Sequence, residues 1–164
     1  MAHRLRPVGL DFLDSAPLRL DFTTLAAAAP EQVYRALADD VAGWTRWFGA
    51  VTLARPLETE GRGGREVRLV GGARFLETVV AAEAPRRYAY RGDVTNVPGL
   101  RALLEDWRLY PAGRGTVVRW TFAADLPGPV RLAVGLGRPG MGHAFRAAVR
   151  SLDRRLAAIR GGAG

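Results

Sequence analysis

Apolar and polar residues recur along this chain with two different periods. Near the C-terminus, Phe145, Ala148, Val149, Leu152, Leu156 and Ile159 return every three or four positions, with Arg146, Arg150, Asp153, Arg154 and Arg160 mostly between them. That spacing places the apolar set on one face of a long helix. Further upstream the period falls to two. Leu18, Leu20 and Phe22 alternate with Arg19, Asp21 and Thr23, which is the pattern of a half-buried strand. Pro30 then suits the first position of a helix over 30–38, with Glu31 favourable in its first turn and Val33, Tyr34 and Leu37 on its buried side. Asp39, Asp40 and Gly43 end it. A second short helix, about 42–48, puts Trp44, Trp47 and Phe48 at i, i+3 and i+4.

Six further strands follow, at 51–57, 66–70, 73–83, 87–94, 101–110 and 116–124. Gly71-Gly72 reads as a two-residue hairpin turn and Glu60 to Gly64 as a flexible turn. Strands joined by such short turns are antiparallel neighbours. The expected fold is therefore α+β, with the order strand, helix, helix, six strands, long helix. A seven-stranded antiparallel sheet with one apolar face needs a cover, and the C-terminal helix is the long element available. Residues 1–16 have no clear period and are expected to pack loosely. This divides the chain into an N-terminal extension (1–17), one domain (18–160) and a tail (161–164), consistent with a length of 164 residues. The stretch 134–142 is rich in glycine and proline. It predicts a broken first part of the helix from about Val130, a hinge near Pro139, and a firm helix from near Gly142. Greater mobility is expected at 135–142 than at 145–158.

Strand alternation assigns faces. Tyr88 and Tyr90 share one face, as do Leu103, Glu105, Trp107 and Leu109, and likewise Val118, Trp120 and Phe122. Asp106, Arg108 and Arg119 fall on the opposite, solvated face. Phe75, Glu77 and Val79 share a face, although Leu76, Thr78 and Val80 opposite them are nearly as apolar. The inward set is thus dominated by aromatic rings, with Trp44, Trp47 and Phe48 added from the short helix. Such rings usually form a filled core. Here Ile159 is the only isoleucine in the chain, and large rigid rings leave gaps more readily than interdigitating branched chains, so the pattern favours a cavity. Two carboxylates, Glu77 and Glu105, fall on the same inward face. A buried carboxylate is costly unless paired or hydrated. Three explanations stand open: a bulge that changes the register, neutralisation by arginine or water, or a polar group that orients a ligand in an apolar pocket.

Composition removes several chemistries. The formal net charge is +8, all 24 basic residues are arginine, and they are spread with no run longer than two. A clustered nucleic-acid footprint is missing, and no nucleic-acid partner is expected. Without lysine there is neither a P-loop nor a Schiff base. Without cysteine there is no thiolate nucleophile or sulfur-ligated metal. The only histidines are His3 and His143 and the only serines Ser15 and Ser151. Ser151 and His143 would lie about 12 Å apart along one helix, too far for a catalytic pair. No cofactor and no metal are expected. Apolar runs are too short to span a bilayer, and no signal-peptide core follows Arg4 and Arg6, so a cytoplasmic location is expected.

Several local patterns, taken in order, are familiar. They are Ala29-Pro30-Glu31-Gln32-Val33-Tyr34, Trp44-Thr45-Arg46-Trp47-Phe48, Phe75-Leu76-Glu77-Thr78-Val79, Ala84-Pro85-Arg86-Arg87-Tyr88-Ala89-Tyr90, and Gly115-Thr116-Val117-Val118-Arg119-Trp120. Over residues 18–160 the chain resembles the START-like, Bet v 1-like (SRPBCC) superfamily, in particular its bacterial polyketide cyclase/dehydrase and lipid-transport group. The resemblance implies a helix-grip fold, a curved sheet wrapped around the C-terminal helix with a hydrophobic cavity between them. It implies binding of a small hydrophobic molecule, such as a lipid, polyketide or aromatic. The expected ligand-binding residues are Trp44, Trp47, Phe48, Phe75, Tyr88, Tyr90, Trp107, Trp120, Phe122, Met141, Phe145 and Val149, with Met141, His143 and Phe145 at the pocket mouth. A cyclase or dehydratase would need a general acid/base, for which Glu77, Glu105 and Tyr90 are the candidates. No diagnostic cyclase signature is present. A third possibility, a protein-interaction module, requires no cavity.

Overall fold

The computed structural model of the protein describes residues 1–58 and 63–161. The turn expected at 60–64 therefore lies largely outside the described residues. Among the described residues, eight strands and five helices run in the order β1 (His3–Arg4), α1 (Phe12–Ser15), β2 (Leu18–Ala26), α2 (Pro30–Ala38), α3 (Trp44–Trp47), β3 (Val51–Leu57), β4 (Gly64–Leu69), β5 (Arg74–Glu83), β6 (Arg87–Thr95), β7 (Ala102–Ala112), β8 (Gly115–Asp125), α4 (Gly128–Leu136) and α5 (Arg138–Gly161). A short 3-10 turn, Val41–Gly43, leads into α3. The fold is the expected helix grip. All strand pairs are antiparallel, in the spatial order β2-β8-β7-β6-β5-β4-β3.

Each element ends for a visible reason. Pro30 opens α2, where a missing amide hydrogen is harmless, and Gln32 Oε1 accepts from the Ala29 amide at 3.3 Å. Asp40 Oδ1 accepts from the Gly43 amide at 3.0 Å and caps the 3-10 turn. Gly71 and Gly72 take φ of 89° and 87° at the β4–β5 hairpin, a conformation that side chains resist.

The core lies between the concave face of the sheet and the helices. Phe145, Ala148, Val149 and Leu152 of α5 are all buried against it. Phe145 sits 5.8 Å from both the Trp107 and Trp120 rings, which stack on each other at 5.6 Å. Burying a side chain of this size stabilises the fold by about 2 kcal/mol. The apolar stripe of α5 ends at Leu156; Ile159, expected on the buried face, is 59% exposed. Asp153, placed by periodicity on the solvated side, instead accepts from the amides of Ala27 (2.9 Å) and Ala28 (3.1 Å), tying α5 to the corner between β2 and α2.

Two further expectations are corrected. The last helix starts at Arg138 rather than Gly142, with Pro139 inside its first turn, where proline needs no hydrogen-bond donor. The break expected near Pro139 falls at Gly137, the C-cap of α4. Residues 1–16 also do not pack loosely. Leu5, Val8, Phe12 and Leu13 are buried. Val8, Phe12 and Leu13 cover Ala102, Leu104 and Ala123 on the outer face of the sheet. Further along, β6 and β7 part after Arg91 and Leu104, and the N-terminal segment fills the gap. The Leu5 amide donates to Asp93 O (2.9 Å) and the Arg6 amide to Arg101 O (2.8 Å). Gly92 suits the close approach there, since a Cβ would lie 2.8 Å from Leu5 Cδ1 and the leucine would have to shift.

Candidate functional site

Between the sheet, α3, α4 and α5 lies a cavity of about 300 Å3. At one end it is apolar: Phe75, Leu100, Leu103, Phe122 and Leu126 form the walls, and Val130 and Val134 of α4 with Met141 and Ala144 of α5 form the roof. At the other end four polar side chains, Arg65, Glu77, Tyr90 and Glu105, meet beside Trp44 and Trp120.

Local register explains this convergence. Arg65, Val67 and Leu69 alternate inward on β4, and Arg65 stands opposite Glu77 of β5. Tyr90 of β6 stands opposite Glu105 of β7, which in turn pairs with Phe122. Arg65 Nε donates to Glu77 Oε2 at 2.6 Å, and both side chains are buried. The Arg65 guanidinium also lies over the Tyr90 ring at 3.7 Å and the Trp44 ring at 4.3 Å, contacts that favour a cation held away from water. Its Nη1 is buried and has no hydrogen-bond partner among the described residues. Glu105 Oε2 accepts from Tyr90 Oη (2.8 Å) and from Trp120 Nε1 (2.8 Å), while Trp107 Nε1 donates to Tyr90 Oη at 3.1 Å.

The electrostatics follow from burial. Loss of hydration and then the nearby Glu77 charge push the Glu105 carboxyl up to about 7, against the hydrogen bonds from Tyr90 and Trp120. Burial also raises Glu77, with the charge of Arg65 opposing. Tyr90 is pushed well above its ordinary value, by burial and by Glu105. Burial works against the Arg65 charge, but Glu77 and the tyrosines outweigh it, so Arg65 stays protonated. The cavity thus holds a fixed cation beside a carboxyl poised near neutrality.

The expected ligand-binding residues separate into two groups. Trp44, Phe48, Phe75, Tyr90, Trp120, Phe122 and Met141 line the cavity. Trp47, Tyr88, Trp107, Phe145 and Val149 are not among its lining residues and pack in the surrounding core instead. The reason is layering: Tyr88 and Trp107 sit two residues beyond Tyr90 and Glu105 on their strands, under α2 and α3 rather than under α4. His143, expected at the mouth with Met141 and Phe145, is exposed and borders nothing in the cavity, while Phe145 is fully buried. Both carboxylates are inward, and Glu77 is neutralised by an arginine. Arg65 itself was missed, because the strand was expected to start at Glu66. Extending the alternation of Val67 and Leu69 back by one step would have pointed it inward. Among the described residues no group of three or more histidine, aspartate or glutamate side chains could hold a metal ion.

A curved antiparallel sheet gripping a C-terminal helix around an apolar cavity is the START/Bet v 1-like fold. Within it, the family described as "Polyketide cyclase / dehydrase and lipid transport" matches residues 18–157, and the chain belongs to that family. An uncharacterized protein of Mycobacterium tuberculosis (strain ATCC 25618 / H37Rv) is 33% identical over 150 residues, which cover 90% of this chain and 89% of that protein. A START superfamily protein from Mycobacterium smegmatis superposes with a TM-score of 0.66 at 13% identity, covering 86% of this chain and 98% of the other. The Zhui aromatase/cyclase from Streptomyces sp. R1128 gives a TM-score of 0.65 at 19% identity, covering 85% and 95%. At these identities the two structures share the fold. No helix among the described residues is long and apolar enough to cross a membrane.

Proposed function

We propose that this protein binds a small, largely apolar molecule, such as a lipid, polyketide or aromatic, with a polar end seated against Arg65 and Glu105. The observation that carries the reading is the apolar cavity of about 300 Å3 that ends on a buried guanidinium with an unpartnered Nη1. An unpaired buried donor costs about 1–3 kcal/mol, which an acceptor on the ligand would recover. Glu105, when protonated, offers a hydroxyl donor and otherwise an acceptor. The ligand therefore carries a carboxylate, carbonyl or hydroxyl at one end and a hydrocarbon or aromatic body reaching Leu126 and Val134. The test is titration with a fluorescent fatty acid, alongside native mass spectrometry of the purified protein. Ala144→Phe, which adds a ring to the cavity from α5, should abolish probe binding while leaving the unfolding transition in place. Equal binding by the filled variant would refute the reading.

A second reading, a cyclase or dehydratase, is supported by Glu105. A carboxyl near 7, hydrogen-bonded to Tyr90, suits proton transfer at neutral pH. Glu77 suits it less, being held by Arg65. Glu105→Gln and Glu77→Gln, assayed for turnover of a polyketide substrate, separate the roles. Unchanged turnover in both variants would remove carboxylate catalysis and leave binding alone.

A further inference from the structure

The roof helix α4 is apolar on both sides. Val130 and Val134, one turn apart, line the cavity. Leu132 and Leu136, also one turn apart, project from the opposite side and are 65% and 73% exposed. No residue of α4 is buried. Val70, next to the cavity residue Leu69, is 67% exposed. A helix with apolar residues on opposite faces is ordinarily covered on both, and a pair of exposed leucines marks a contact surface.

The charge around this helix identifies what covers it. From Leu126 to Leu152 the chain contains four arginines, Arg131, Arg138, Arg146 and Arg150, and no acidic residue. None of the four is ion-paired among the described residues. Elsewhere ion pairs with acidic residues are frequent: Arg87 and Arg108 share Asp106, and Arg19 and Arg119 share Asp21. The segment that carries the exposed leucines is thus basic, with no acidic residue of its own to offset it. A two-fold dimer through this surface would set the same basic segment against itself. An anionic bilayer meets both requirements, with hydrocarbon for the leucines and phosphate for the arginines.

We infer that α4 docks the protein onto an anionic lipid surface, with Leu132 and Leu136 in the boundary between headgroups and acyl chains and Arg131 and Arg138 against lipid phosphates. The roof of the cavity then rests on the membrane. The inference does not depend on what the cavity binds, because its test reads no ligand.

The experiment is flotation of the full chain with phosphatidylcholine vesicles, with and without phosphatidylglycerol. The protein should float with the anionic vesicles, weakly or not at all with the neutral ones, and less at high salt. Leu132→Asp and Leu136→Asp should each lower the partition coefficient by about tenfold or more, and Arg131→Gln by about fivefold. All three should keep the wild-type unfolding transition, since these side chains are exposed. Absence of flotation by the wild type, or undiminished flotation of the leucine variants, overturns the inference. So does a dimer, measured by light scattering, that the leucine variants dissociate, because a second copy would then be what covers α4.

Discussion

Replacing Glu105 with glutamine tests the electrostatic reading of the cavity most directly. The carboxyl is held at about 7, against 4.5 for an ordinary glutamate. The folded protein therefore binds this proton more tightly than the unfolded chain does. The resulting stabilisation is complete below about pH 4.5, declines as pH rises towards 7, and stays at its lower level above that. The full span corresponds to about 3 kcal/mol, a large fraction of the stability of a domain this size. Glutamine keeps a carbonyl to accept from Tyr90 Oη and Trp120 Nε1 but cannot ionise. Urea unfolding followed by tryptophan fluorescence should find Glu105→Gln close to wild type near about pH 5 and more stable by up to about 3 kcal/mol near about pH 8. Glu66 does not confuse this window. Its three arginine partners, Arg74 first, hold it at about 2 despite burial, so its contribution is lost only as pH falls below 4.5. Parallel stability–pH curves for the two proteins, or a variant weaker at alkaline pH, would refute the argument.

Three other outcomes follow from contacts already described. Arg65→Leu and Glu77→Leu should each cost about 3–5 kcal/mol by stranding a buried charge, while the double variant should cost less than the sum; a denaturant double-mutant cycle reads the coupling. Asp153→Ala should destabilise by about 1 kcal/mol, chiefly through the buried Ala28 amide, since exposed Ala27 can turn to water; the change is measured as a shift in urea midpoint with unchanged slope. Hydrogen exchange should be faster in 135–142 than in 145–158, because residues 135–141 bury no side chain whereas Phe145, Ala148, Val149 and Leu152 are core; equal protection would count against a loosely held roof.

The sheet and helices were legible in the chain because alternation in β2, β7 and β8 is strong and each turn carries glycine or proline. The inward aromatics followed from the same parity. Parity gives a face but not a depth, and so Tyr88 and Trp107 were grouped with Tyr90 and Glu105 although they lie in the filled part of the core. The partnership of Arg65 and Glu77 depends on the register between β4 and β5, which no local pattern encodes. The packing of residues 3–13 was hidden for a related reason. Its apolar residues, Leu5, Val8, Phe12 and Leu13, belong to an irregular segment whose partners are about ninety residues away, so neither a helical nor a strand period shows.

That last arrangement bears on how the molecule assembles. His3 reaches Leu100 O at 2.8 Å, and Leu5 packs against Phe75, Leu100 and Leu103, all three of which line the cavity. The start of the chain thus has no docking place until β5, β6 and β7 have been synthesised and paired. Contacts of such long sequence separation form late and slowly. The β5–β6 hairpin and the α2–α3 corner, whose contacts are local, form ahead of it. Closing the seam between β6 and β7 is therefore a finishing step, and until residues 3–5 dock, the cavity wall formed by Phe75, Leu100 and Leu103 lacks Leu5 packed behind it.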